Sequence, residues 1–157
     1  NIIHDRFTRL MVSYYEQAPE LQPQPYAEEL FDLLHKQGIR VALNTGFVKE
    51  VTHTILKRLQ WESSPLVDFV ISSDEVPAGR PAPDMIRTLM AKAAVTDPAR
   101  VVKVGDTEVD IEEGRQASCG LVVAVTTGAY SRNSLEPFKP DFIIDSLAGL
   151  PALMGVS

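Results

Sequence analysis

"VVKVGDTEVD", residues 101–110, decides how this chain is read: four mostly apolar residues run into Gly105 and Asp106, and a second carboxylate, Asp110, follows four positions after the first. A short apolar run closed by glycine and polar residues predicts a buried strand, here 101–104. The segment after it predicts a helix over 109–118, which leads to a second apolar run, "LVVAV", at 121–125. Working outward, the same unit recurs. Toward the N-terminus lie a helix at 83–94, a strand at 67–71 ("VDFVI") and a helix at 48–60. Before them come a strand from Ile39 to Leu43 that runs into "NTG", and a helix, "YAEELFDLLHKQG", with Leu30, Phe31, Leu33 and Leu34 on its apolar side and Gly38 at its stop. "APELQPQP" carries three prolines in eight residues and predicts a hinge or linker. Ahead of it, residues 2–17 place Ile3, Phe7, Leu10, Met11 and Tyr14 at helical spacing. Toward the C-terminus, "DFIID" at 141–145 predicts a last strand and "SLAGLPALMG" a terminal helix or turn. Strands alternating with helices imply right-handed crossovers and a parallel sheet covered on both faces, so the fold class is α/β, a doubly wound parallel sheet.

Composition narrows the function classes. The 157 residues are 45% hydrophobic and 23% charged, which is ordinary for a globular chain with a real core. The formal net charge is −6, and lysines and arginines are scattered, so there is no basic stripe for nucleic acid. No apolar run approaches the roughly 18 residues of a membrane span. Cys119 is the only cysteine, which excludes an internal disulfide and predicts a reducing compartment, the cytoplasm. "NIIHDRFTRL" has charges where a signal peptide has its apolar core, and the absence of an initial Met marks Asn1 as an expected cut edge.

In a doubly wound sheet, ligands bind where the carboxyl ends of the strands meet helix N-termini. The loops there are "NTG" (44–46), "SSDEVPAGRP" (72–81), "GDTEVD" (105–110) and "TTGAYS" (126–131). Two carboxylates on one rigid turn suit a hard divalent cation such as Mg²⁺, which binds through one or two carboxylates and keeps waters for its other positions. A cation beside an arginine and a hydroxyl-bearing loop suits a phosphoryl group, whose transition state needs positioning and charge compensation. Each element also has a plainer reading. Asp106 is placed as an N-cap would be, Asp110 can complement a helix dipole, Arg80 can be a solvated side chain, and "GRPAPD" can be a proline-rich helix entry. Asp74 reads as a solvated loop residue. His4, His35 and His53 lack metal-ligand spacing to one another, and Cys119 reads as a small buried hydrophobe.

The order "NTG", "GRPAPDMI", "GDTEVD" after successive strands resembles motifs II, III and IV of the haloacid dehalogenase superfamily, with "GRPAPDM" most similar to its phosphonoacetaldehyde hydrolase-like branch. The resemblance implies a Rossmann-like core over residues 21–157, with residues 1–20 as the end of an inserted helical cap. It implies that Thr45 hydrogen-bonds a phosphoryl group, with Asn44 and Gly46 adding amide donors, and that Arg80 steadies nucleophile and phosphate. It further implies that Asp106 is a catalytic Mg²⁺ ligand, and that Asp110 supports the metal directly or through water. The implied activity is Mg²⁺-dependent hydrolysis of a small phosphorylated or phosphonate substrate through an aspartyl intermediate, with neither nucleic acid nor membrane as partner and homodimerisation left open.

One motif of that family is missing. Its motif I, an Asp-x-Asp or Asp-x-Ala sequence after a first strand, supplies the nucleophile, and nothing before Ile39 reads as a strand ending that way; Asp5 and Asp32 fall within helices. In the family's sheet the motif I strand lies between those of motifs II and IV, so its absence is expected to leave both neighbours with unpaired backbone groups. The chain is therefore expected to be part of a longer polypeptide and inactive by itself. The alternative, from a different class, is a catalytically dead α/β module that binds phosphate or a partner protein.

Overall fold

The computed structural model describes residues 2–157; Asn1, and with it the expected cut edge, lies outside the described residues. The chain order is α1 (Ile2–Gln17), α2 (Ala27–Lys36), β1 (Ala42–Thr45), α3 (Lys49–Leu59), β2 (Phe69–Ser72), α4 (Asp84–Lys92), β3 (Val102–Gly105), α5 (Glu108–Gln116), β4 (Leu121–Val125), α6 (Arg132–Leu135), β5 (Phe142–Ile144) and α7 (Leu150–Met154). The alternation read from the sequence is present, and every strand pairing is parallel. The first strand lies later than expected. Ile39 to Val41 precede it, because pairing with β2 begins at Ala42 opposite Phe69 and runs to Thr45 opposite Ser72.

The strands fall into two separate sheets, β1–β2 and β3–β4–β5. β4 is central in the larger one, and its alternating side chains serve opposite faces. Val123 joins Leu30, Phe31, Leu34 and Leu150 on one side, and Val122 and Ala124 join Ile111, Ala117 and Leu135 on the other. A third cluster, Ile71, Met85 and Leu89, seats α4 on β2. Both faces are thus covered by helices, as a parallel sheet requires.

Each helix has local reasons to start and stop. α2 has Glu28 and Glu29 in its first turn, His35 and Lys36 in its last, and Gly38 beyond it at φ +75°. Its buried Leu30, Phe31 and Leu34 each contribute about 1.5–3 kcal/mol of burial. The α3 N-terminus is capped from another loop, since Asp74 Oδ1 accepts from Lys49 N at 2.8 Å. The C-terminal end of α1 is held by Arg58, which donates to the carbonyls of Tyr15 at 2.7 Å and Ala18 at 2.8 Å. The apolar stripe of α1 does not face the core: Ile3 is 80% and Leu10 62% exposed, and Phe7 and Tyr14 are also exposed. No helix among the described residues is long and apolar enough to cross a membrane.

Among the described residues β1 and β3 are not paired through their backbones, and each has a strand neighbour on its other edge only. Between them lies a cleft of about 730 Å³ whose walls include Leu43 and Val104, with Phe31 and Leu34 of α2 on one side and Ile86 and Leu89 of α4 on the other.

Candidate active site

The carboxyl ends of β1 and β3 open at the same end of this cleft, and the side chains there differ in kind from the apolar ones below. Thr45, the last residue of β1, turns its Oγ1 back to accept from Phe47 N at 3.1 Å, a local turn that leaves its hydroxyl proton free to donate. Ser73 clips the loop after β2 onto the same turn, donating through Oγ to Gly46 O at 2.8 Å. Arg80 reaches in from the loop before α4. Its guanidinium lies against Gly46, where a Cβ would come within 2.6 Å of Nη2. Its Nη1 donates to Asp110 Oδ1 at 2.8 Å, while its buried Nε has no hydrogen-bond partner among the described residues.

The two carboxylates take different roles. Asp106 is not the N-cap of α5; Thr107 is, in a reciprocal capping box in which Thr107 Oγ1 accepts from Asp110 N. Asp110 Oδ2 accepts from Asp106 N, Thr107 N and Thr107 Oγ1 at 2.9–3.1 Å. Its Oδ1 faces Arg80, with Lys103 Nζ at 3.5 Å. Burial would raise the Asp110 pKa, but the Lys103 charge, the Thr107 hydroxyl and the Arg80 charge outweigh it and hold the carboxyl below its ordinary range. Both Asp110 oxygens are therefore taken by protein donors. The half-buried Asp106 carboxylate, in contrast, has no hydrogen bond or ion pair among the described residues. It lies against Gly128 in the loop after β4, where any Cβ would come within 1.9 Å of Oδ2.

Two further residues, not assigned a role from the sequence, complete the cluster. Lys103, on β3, is 8% exposed in its side chain, and Glu113, on α5, is 0% exposed. Lys103 Nζ stands 2.9 Å from Glu113 Oε1 and donates to Asn44 Oδ1 at 2.9 Å, and Asn44 Nδ2 donates to Glu113 Oε2 at 2.7 Å. The Lys103–Glu113 contact is an ion pair rather than an aligned hydrogen bond, since Oε1 has no partner of good hydrogen-bond geometry. Asn44 thus spends its side-chain amide on this network. The signals were present: a lysine inside an apolar strand, and two acids, Asp110 and Glu113, three apart on one helix face. Formally Lys103 and Arg80 balance Asp110 and Glu113, which leaves Asp106 as an uncompensated negative charge. Deleting one member of such a buried set costs on the order of 3–5 kcal/mol.

The fit to a divalent cation rests on these donors. No group of three His, Cys, Asp or Glu side chains among the described residues is placed to hold a metal. One free carboxylate at a strand end nevertheless suits Mg²⁺, which relies on few protein ligands and takes others from water and phosphate. The remaining candidates have structural partners. His35 pairs with Asp68 at 2.7 Å, His53 lies 3.4 Å from Glu62, and burial pushes the Cys119 thiol up to about 11. Lys36 pairs with Asp32 on the surface, and Lys49 lies 3.9 Å from Glu75.

Known proteins resemble this chain in sequence and fold. Phosphonoacetaldehyde hydrolase of Bordetella pertussis is 30% identical over 174 residues, covering 97% of this chain and 62% of its own length. The phosphonoacetaldehyde hydrolase of Bacteroides fragilis is 38% identical over 104 residues, covering 64% of this chain and 39% of its own length. The chain thus spans about 62% of the length of the Bordetella relative. Among solved structures, a predicted phosphoglycolate phosphatase from Haemophilus somnus superposes with a TM-score of 0.74 at 25% identity, over 83% of this chain and 56% of that one. A phosphonoacetaldehyde hydrolase-like protein from Oleispira antarctica shares the fold with a TM-score of 0.82 at 24% identity, over 97% of this chain and 62% of its own. Residues 4–118 match the haloacid dehalogenase-like hydrolase family, and the chain belongs to it.

Proposed function

We propose that these residues form the phosphoryl- and cation-binding side of a Mg²⁺-dependent hydrolase of small phosphorylated or phosphonate compounds, working through an aspartyl intermediate. The observation that carries the reading is the Asp106 carboxylate, unpartnered beside an otherwise charge-balanced cluster. Bound there, Mg²⁺ would offset charge building on phosphoryl oxygens. Thr45 donates its hydroxyl proton to the phosphoryl group, and the backbone amides beside it, at Asn44 and Gly46, add donors. Arg80 brings its positive charge to the same turn and holds Asp110 against it. Asp110 supports the cation through charge and through the Asp106 backbone it fixes, not as a free ligand.

The nucleophilic carboxylate is not among these residues in this reading. It comes from a further strand seated in the cleft between β1 and β3, whose unpaired edges and apolar walls support the assignment. Residues 1–20 are the end of a helical cap, and residues 21–157 belong to the core. The lone cysteine supports a cytoplasmic setting. The relatives make phosphonoacetaldehyde the first substrate to assay. In the full polypeptide, Asp106→Ala should abolish Mg²⁺-dependent turnover of phosphonoacetaldehyde and of simple phosphate monoesters while leaving the far-ultraviolet circular dichroism unchanged. Retained turnover in that variant would refute the reading.

A further inference from the structure

The network at the mouth of the cleft reaches across a gap that the backbone does not bridge. β1 and β3 share no backbone ladder, yet Lys103 of β3 donates to Asn44 of β1, and Asn44 donates to Glu113 of α5. Asn44 precedes Thr45, and Asp110 lies one helical turn before Glu113. The same ammonium therefore touches the residue next to the proposed phosphoryl donor and stands 3.5 Å from the carboxylate that organises the Asp106 turn. Its route is built for it. The Lys103 stem runs beneath α5 at Gly114, where a Cβ would come within 3.0 Å of both Lys103 Cβ and Cγ. Glu113, wholly buried, anchors both the ammonium and the Asn44 amide. An amide held at both of its atoms cannot rotate without breaking a buried bond.

We infer that Lys103 and Glu113 are positioning residues, which lock the Asn44–Gly46 turn of one sheet to the Asp106–Asp110 turn of the other so that phosphoryl donors and cation ligand face one another. This rests on the proposed hydrolase reading but adds to it a pair that touches neither substrate nor metal. The alternative is that the pair serves folding only. The two roles predict different outcomes when both charges are removed together, because a buried ion pair replaced by apolar residues of similar size usually leaves a protein folded.

The test is the double variant Lys103→Met/Glu113→Leu in the full polypeptide, with the isosteric Glu113→Gln beside it. Thermal unfolding, steady-state turnover of phosphonoacetaldehyde with Mg²⁺, and inhibition by inorganic phosphate are measured for each. The double variant should melt within a few degrees of the wild type, lose at least tenfold in kcat/KM, and need at least tenfold more inorganic phosphate for half inhibition. Glu113→Gln keeps an acceptor for Asn44 but releases the ammonium, and should lose at least threefold in both. Wild-type kcat/KM and phosphate inhibition in either folded variant would overturn the positioning role; if the double variant does not fold, Glu113→Gln decides alone. Asp106→Ala, run in parallel, separates the two ideas. Activity lost there but kept in the Lys103 and Glu113 variants removes only the positioning role, whereas activity kept in Asp106→Ala removes the hydrolase reading itself.

Discussion

The two sheets are unequal partners. In the three-stranded sheet, β4 has a neighbour on each edge and helices on both faces, and Val122, Val123 and Ala124 are essentially inaccessible. In the two-stranded sheet, Ala42 is exposed and Leu43, Asn44 and Thr45 are only half-buried. The larger sheet carries the acids and the smaller one the hydroxyl and amide donors. The smaller sheet is thus held to the larger one by what crosses the cleft: α2 on one side, α4 on the other, and the polar network at the rim. β1 and β3 each present one unpaired edge to the cleft, which is where the proposed further strand would pair.

The largest expected difference between the sheets is in stability. Ile111→Ala, behind β4, should cost about 2–5 kcal/mol in urea unfolding, as deletions at well-packed sites do. Leu43→Ala on the cleft wall should cost about 1–1.5 kcal/mol, roughly half the burial value of a leucine. If a strand fills the cleft in the longer polypeptide, the Leu43 cost should rise toward that of Ile111, and equal costs in the 157-residue chain would erase the contrast between the sheets. Next comes the link between the sheets. Arg80→Ala, which frees both Gly46 and Asp110, should lose at least tenfold in kcat/KM, about 1.4 kcal/mol. A smaller loss would remove Arg80 from the phosphoryl site and leave it a structural partner of Asp110.

The smallest effect concerns a device that both sheets share. Asp68 accepts from Val41 N at 2.7 Å, and Asp141 accepts from Val122 N at 2.7 Å, so a carboxylate ties down the amino end of each sheet. Burial works against both charges, but the strand N–H, with His35 for Asp68 and Arg115 for Asp141, lowers both pKa values from 3.8. A lowered folded value means the stabilisation is complete above pH 3.8 and is lost as pH falls through the depressed value. Asp68→Asn and Asp141→Asn should each flatten the acid limb of the stability curve. An unchanged acid limb in either variant would show that its carboxylate does not contribute.

Much of the fold was legible because local signals agreed. Apolar runs of four or five residues, glycines at their ends and 3.6-residue periodicity place all five strands and the helices that cover them. The late start of β1 has a physical cause: Ile39 and Val41 are as apolar as a strand residue, but only pairing with β2 decides where the ladder begins. The periodicity of α1 shows a face that wants cover, yet periodicity carries no information about what covers it. In the candidate site, Asp106 and Asp110 stand out as carboxylates after a strand, and Thr45 and Arg80 through the resemblance of their motifs. The division of labour between the two acids is not visible there, because it depends on a Thr107 capping box and on donors arriving from other strands. Lys103 and Glu113 carry local signals, but the partner they share, Asn44 on β1, lies 59 and 69 positions away along the chain and is not legible from their neighbourhood.

The bare edges of β1 and β3 have a consequence for hydrogen exchange. Amides in the middle of a molecule ordinarily surrender their protons to deuterium last. Here the backbone groups that these two strands turn toward the cleft should exchange on the timescale of surface loops, while those of β4, a single strand farther on, persist to global unfolding. A band of fast exchange along the cleft would map the two open strand edges directly.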